Sequence, residues 1–585
     1  MWCLVCTLFF IHQALASMSG VSRTDIPVRF PIYRSDYQPL RKRDGEKEIL
    51  GLGDFFDVSY TVLMGLGGGL IPLVIDSGSS DLWVISDSCA TEPCLETDIP
   101  LYSPNAFEPT GLIAQLLYGD SFTGTHAFGP VGKDDLSFAG MTVSDQLFAA
   151  VNDTNTTVLQ TGAAGILGLG FPVNSQIWFK NFEHDHPVES PQRRSPNFQS
   201  RFPQLGRFRG EYSNNGSNNE GNSTHNPRSL RPRDEPLSSN SSWTSVILDS
   251  FSQNGPPLTR YIAQLGLEPR FTVSLQRDTV DLGGNAGMLT IGELPDGIEE
   301  KDLTWVPVRL YSPAEGGLLP PPESPNETYP LTWEAPIDAV FLNGVKLPRS
   351  NLTSPSLSDS ALFDTGNNLI RGPSDVVDFI RSMLQNEREG DDSRSYPCTQ
   401  PNILTFQIGG KMFPIDPKDL GNQLFEDSVE DCVPNLAVTD TPVEGEGFLY
   451  SWNLGTPFLK SVLASFHYGN ISFPSQDPPR IGFLSTVPDN LEDRYKEAVQ
   501  KAATENGGNF PAIAEPAPTS LPSFSLNSAG IQKAVPTSTG VDDANRHHDA
   551  NGAIPGLGLG PIKRPFSRVQ KVVGTALITG GILLV

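Results

Sequence analysis

Leu73-Val74-Ile75-Asp76-Ser77-Gly78-Ser79-Ser80 is an apolar run of strand character that ends in an aspartate, a hydroxyl residue and a glycine. The same order returns 288 residues later as Ala361-Leu362-Phe363-Asp364-Thr365-Gly366-Asn367-Asn368. One Asp-Ser/Thr-Gly triplet says little, because Asp and Gly punctuate turns everywhere. Two copies, each closing an apolar strand, predict a duplicated architecture in which each half brings one carboxylate, Asp76 or Asp364, to a shared site.

The residue types suit one chemistry. Two carboxylates a few Å apart cannot both ionise cheaply, so they share a proton and their pKa values split. The ionised member then takes a proton from a bound water while the protonated member hydrogen-bonds a carbonyl, and water attacks without a covalent intermediate. Gly78 and Gly366 let the backbone turn tightly and bring N–H groups to the carboxylates. The hydroxyls of Ser77 and Thr365 are placed to tie each loop to the opposite strand.

Outward from these motifs, residues 57 to 487 are short apolar or alternating runs punctuated by Gly, Asn, Asp and Pro. Strands are predicted at 58–64, 72–75, 81–85, 271–275, 288–291 and 305–308, and the clearest helix at 374–384. The chain of 585 residues is long enough for two lobes, with 38% hydrophobic residues to build their cores. Its 51 prolines and 55 glycines fit a turn-rich, mostly-β protein. A formal net charge of -26 excludes a basic nucleic-acid-binding face and suits a protein working in acid, where self-repulsion falls. Glycine-rich Leu66-Gly67-Gly68-Gly69 and Leu282-Gly283-Gly284 open no helix in a βαβ pattern, so nucleotide binding is unsupported. His184, His186, His225, His547 and His548 fall in stretches read as disordered and are taken as solvated imidazoles.

The ends read as targeting and processing segments. Residues 1–16 form a signal peptide, with an apolar run from Val5 to Ile11 and a small-residue site at Ala14-Leu15-Ala16. Residues 17–43 form a propeptide ending in Arg41-Lys42-Arg43, a processing site. Residues 181–242, rich in Asn, Ser, Pro, Gly and Arg, cannot bury enough surface to offset chain entropy and read as a disordered surface insertion. Its Arg193-Arg194 pair reads as solvated charge. Residues 488–571 read as a Pro/Ser/Thr/Gly-rich stalk, and 572–585 as the hydrophobic tail of a GPI signal, with Asn551-Gly552-Ala553 as candidate attachment site. Loss of the signal peptide leaves four cysteines. Local pairing, Cys89 with Cys94 and Cys398 with Cys432, closes two short loops; zinc is the rival, but no histidine stands at ligand spacing. Sequons at Asn152, Asn155, Asn215, Asn222, Asn240, Asn326, Asn351 and Asn470 fit the secretory pathway.

Over residues 55 to 487 the chain resembles the pepsin-like aspartic proteases, especially secreted fungal members. Asp76-Ser77-Gly78-Ser79-Ser80-Asp81-Leu82-Trp83-Val84 matches the first active-site motif, and Cys89 and Cys94 follow where that family places a small disulfide loop. The resemblance implies that Tyr118-Gly119-Asp120 is the substrate-covering flap, with Trp83 the partner of Tyr118. It makes Ile166-Leu167-Gly168 and Asn453-Leu454-Gly455 the segments beneath the two aspartates, Trp305-Val306-Pro307-Val308 the opening strand of the second lobe, and Cys398–Cys432 its disulfide.

Three positions depart from that pattern. Asn367 stands where Ser or Thr usually donates to the second aspartate; an amide can donate to a carboxylate too, so tuned activity is expected. Asn453 replaces an apolar residue, and the flap is one residue short after Asp120. Asp120 admits two readings: a partner for a substrate lysine before the scissile bond, or a stabiliser of the hairpin turn. The expectation is an all-β, bilobal acid endopeptidase of polypeptides, with lobes at 44–295 and 296–487 and the cleft between them. It is expected to be secreted, monomeric and free of metal or organic cofactor. A catalytically silent binding protein on the same scaffold, and a cell-wall protein whose stalk and glycans carry the function, are the alternatives.

Overall fold

The computed structural model describes residues 59–95, 97, 99–120, 123–138, 141–186, 243–275, 287–295, 297–385, 395–423, 429–444 and 447–510, and the strands Val28–Ile32 and Leu52–Phe55 by backbone alone. The architecture is mostly strand and bilobal, as the repeated motif predicts.

Each half builds the same three-strand unit around its aspartate. In the first, Gly165–Gly168 runs parallel to Gly69–Asp76 and antiparallel to Leu82–Ile85, with Gly168 opposite Asp76. In the second, Trp452–Leu454 runs parallel to Ser360–Phe363 and antiparallel to Ile370–Gly372. The flanking apolar residues explain the depth of both units. Leu73, Ile75, Ala361 and Phe363 are fully buried, so each strand drives its terminal aspartate into the molecule rather than to the surface. The glycine stretch at 67–69 is the turn of the hairpin Ser59–Leu66/Gly69–Asp76, where Gly67 and Gly68 take left-handed φ angles of 62° and 79°.

An antiparallel run drawn from both halves of the chain continues the sheet of the first unit. Thr304–Pro307, Arg480–Ser485, Val462–His467, Arg270–Leu275, Gly287–Ile291 and Val28–Ile32 follow in that order. Val28–Ile32 falls inside the segment read as propeptide and is an element of this sheet. Above it, Phe271 stacks on Phe466 at 4.6 Å and Phe171 lies 4.3 Å from Trp333. Trp333 Nε1 and Tyr468 Oη both donate to the carbonyl of Leu169, at 2.9 and 2.6 Å.

The helices correct two boundaries. Gln176–Asp185 runs five residues into the stretch read as insertion, because Phe182 is buried and stacks on Trp178. His184 therefore sits on a helix and His186 at its C-cap, not in disordered chain. Residues 187–242 lie outside the described residues. Likewise the first part of the expected stalk is the helix Leu491–Glu505. It buries Leu491, Tyr495, Ala498 and Ala502, which recur at helical spacing, and Tyr495 Oη donates to the Cys398 carbonyl at 2.6 Å. The signal peptide, residues 511–571 of the expected stalk and the hydrophobic tail lie outside the described residues. Among the described residues no helix is long and apolar enough to cross a membrane. Cys89–Cys94 and Cys398–Cys432 are bonded.

Candidate active site

Asp76 and Asp364 meet at the seam of the two units, 0% and 2% exposed. The Gly78 N–H donates to Asp76 Oδ1 at 2.8 Å, and the Ser79 hydroxyl donates to Asp76 Oδ2. The Gly366 N–H donates to Asp364 Oδ1 at 3.0 Å. Four further bonds lock the loops crosswise. Ser77 Oγ donates to the Phe363 carbonyl at 2.8 Å, and Thr365 Oγ1 to the Ile75 carbonyl at 2.7 Å. Each hydroxyl also accepts the other residue's backbone N–H at 2.9 Å.

Both glycines are required by this closeness. A Cβ on Gly78 would stand 2.5 Å from the Asp364 carboxyl, and one on Gly366 would stand 2.6 Å from Asp76 Oδ1. Each carboxylate thus lies against the other half's loop.

Burial pushes the Asp76 carboxyl well above the usual carboxylate range, and the neighbouring Asp364 charge pushes it further. Burial also raises Asp364, but four hydrogen-bond donors oppose it: the Asn453 amide first, then Asp76, then the N–H groups of Gly366 and Asn367. The two carboxyls, both raised by burial, are coupled and share one proton between them.

Tyr118 lies on the strand Glu108–Asp120, which pairs with Thr123–Phe138 to form a hairpin over the cleft. Its hydroxyl accepts from Trp83 Nε1 at 2.6 Å, and Tyr118 and Gly119 line the same cleft as Gly78 and Asp364. Burial raises the Tyr118 hydroxyl well above its usual range, helped by the charges of Asp81 and Asp76. Asp120 is at the hairpin tip opposite Thr123, and its side chain lies outside the described residues.

Asn367 does not do what the sequence suggests. Its amide donates to the Leu369 carbonyl at 2.8 Å and to Asn453 Oδ1 at 2.9 Å, not to Asp364. The amide that reaches Asp364 Oδ2, at 3.0 Å, is that of Asn453. In the sequence Asp81 reads only as part of the first motif, with no role of its own. It accepts from the Ser175 hydroxyl at 2.5 Å and from the Gln176 and Ile177 N–H groups at 3.0 Å, so it fixes the start of the helix beside the cleft. The buried Arg371 also lines the cleft. A cap residue such as Ser175 is legible in sequence; a carboxylate 94 residues earlier that joins it is not.

Of the sequon asparagines, Asn152, Asn155, Asn326 and Asn351 are exposed. Asn470 is half-buried, and its Oδ1 accepts from the Ser472 and Phe473 N–H groups. Asn215, Asn222 and Asn240 lie outside the described residues. No group of three or more His, Cys, Asp or Glu among the described residues is arranged to hold a metal.

The family described as eukaryotic aspartyl protease matches this chain over residues 60–190 and 265–474. Cathepsin E of Cavia porcellus is 33% identical over 74% of this chain and 83% of its own length. Cathepsin E of Aquarana catesbeiana is 30% identical over 74% and 81%. Major aspartyl peptidase 1 of Cryptococcus neoformans var. grubii is 22% identical over 76% and 73%.

Proposed function

The chain belongs to the eukaryotic aspartyl protease family and is an aspartic endopeptidase, and from that premise we propose that Asp76 and Asp364 are its catalytic pair, acting on polypeptides at acidic pH. The observation that carries this reading is the crosswise lock of Ser77 and Thr365, which fixes two buried carboxyls against each other's loops. In the proposed mechanism the ionised member of the pair takes a proton from a water between them. The protonated member donates toward the scissile carbonyl oxygen, and the water oxygen attacks the carbonyl carbon to give a tetrahedral diol. On collapse the carboxyl that took the water proton gives it to the leaving amine while a diol hydroxyl returns a proton to the other, so the pair ends with one proton. Tyr118, held by Trp83, covers the substrate.

The exposed sequons and the two disulfides support passage through the secretory pathway, with a propeptide removed after Arg43 and the apolar tail exchanged for a GPI anchor. Release from cells by a phosphatidylinositol-specific phospholipase tests the anchor.

Hydrolysis of a denatured protein between pH 3 and 7, with and without pepstatin, beside Asp76→Asn, tests the mechanism. Acid activity abolished by both supports the dyad. Folded, processed protein with no activity would instead favour a silent binder.

A further inference from the structure

The register of the two three-strand units permits a position-by-position comparison. Gly168 pairs with Asp76, and two residues earlier Ile166 is buried between Val74 and Trp83. The corresponding residue of the second unit is Asn453, between Leu362 and Arg371. The third residue after each aspartate also differs. Ser79 gives its hydroxyl to Asp76, while Asn367 turns away from Asp364. Two of the positions at which the second unit departs from the first therefore lie beside Asp364, and their side chains are bonded to each other.

We propose that Asn453, oriented by Asn367, is the positioning residue of Asp364, supplying from the neighbouring strand the donor that Ser79 supplies to Asp76 from its own loop. This rests on Asp364 being catalytic.

The bonding leaves one arrangement. Asn367 is 1% exposed, and its Oδ1 accepts from the Leu369 N–H at 3.1 Å while its Nδ2 serves Leu369 and Asn453. The atom of Asn453 that meets Nδ2 must be its oxygen, so its NH₂ faces Asp364 Oδ2. A flipped Asn453 would set oxygen against carboxylate and nitrogen against nitrogen. The orientation of both amides thus follows from the hydrogen-bond network. An amide NH₂ is a donor only, so unlike a hydroxyl it favours the charged carboxylate and cannot accept the proton of the neutral acid. The Asn453 donor is the foremost influence opposing the rise of Asp364 caused by burial. The other titratable or charged groups at that cleft among the described residues are Asp76, Asp81, Tyr118, Tyr450 and Arg371; of these Asp76 also donates to Asp364, with less effect than Asn453.

The test compares kcat/KM against pH for the full chain, Asn453→Leu, and the double variant Asn367→Thr/Asn453→Leu. Loss of a donor to a charged carboxylate raises the acidic limb by about one to two pH units in Asn453→Leu. The double variant restores a hydroxyl three residues after Asp364, and its limb returns to within about half a unit of the parent. An unmoved limb in the folded single variant overturns the proposal, as does a double variant that stays with the single. The carboxyl ¹³C titration of Asp364, assigned with Asp364→Asn, reads the same donor without turnover. An upward shift there in a protein that hydrolyses nothing would refute the protease reading alone, and an unmoved titration would refute the role of Asn453.

Discussion

Gly78→Ala places one methyl group against the opposite aspartate. Its Cβ would lie 2.5 Å from three atoms of the Asp364 carboxyl, where ordinary contact begins at 3.4 Å. The two groups must therefore separate by about 0.9 Å. The backbone of Gly78 is not in the left-handed region, so alanine adds no conformational strain and the clash is the main cost. Overpacking of this kind costs about 1–3 kcal/mol of stability, which a two-lobed protein survives. A displacement near 1 Å between reacting groups lowers rate on the order of 10²-fold. The expected result is a fall in kcat of that size with KM little changed, from initial rates on a peptide substrate at the optimal pH. Gly69→Ala is the control: its Cβ meets nothing nearer than 4.0 Å, and its activity should match the parent. Gly78→Ala with kcat within about threefold of the parent would refute the claim that the loops hold the carboxyls at a fixed separation.

Two other outcomes follow from groups already described. Asp76, Asp364 and Asp81 all have folded pKa values raised by burial, so the folded state binds their protons more tightly than the unfolded chain. Their stabilisation is full below the unfolded value of about 4 and is lost as pH rises through the folded values. Tm should thus fall on going from pH 4 to 7, and Asp76→Asn should flatten that fall; a parent Tm unchanged across the interval would contradict the sign. Removing Cys398–Cys432 by double serine substitution opens a loop of 34 residues and should cost about 4 kcal/mol in denaturant unfolding, against about 2 for the five-residue Cys89–Cys94 loop.

The sequence carried the strands and the two aspartates because those signals are local. Ser360–Phe363 and Gly69–Asp76 are short apolar runs closed by turn residues, and each can be recognised within ten positions. The helix Ser374–Leu384 was legible for the same reason, with its buried Val376, Val377, Ile380 and Leu384 at helical spacing. Leu491–Glu505 was not, since two of its four buried residues are alanines and its polar face resembles the stalk that follows. The role of Asn453 was beyond local reading. An asparagine at an apolar position looks like a defect until the register sets it beside Asp364 and Asn367. Asn367 was rightly flagged as unusual but given the wrong acceptor, because sequence spacing says that a side chain is near a carboxylate and not which way it turns.

The carbonyl of Leu169 takes one bond from Trp333 and one from Tyr468, so its acceptor is written in the first half of the chain and both donors in the second. Neither half can satisfy that junction unaided. Divided at the midpoint, the polypeptide would give two fragments, one with a stranded oxygen and the other with a stranded indole and phenol. Each would recover its partners only by finding its complement. The repeat that the eye sees in the two aspartate loops is therefore not interchangeable at this junction, where one half supplies the acceptor and the other both donors.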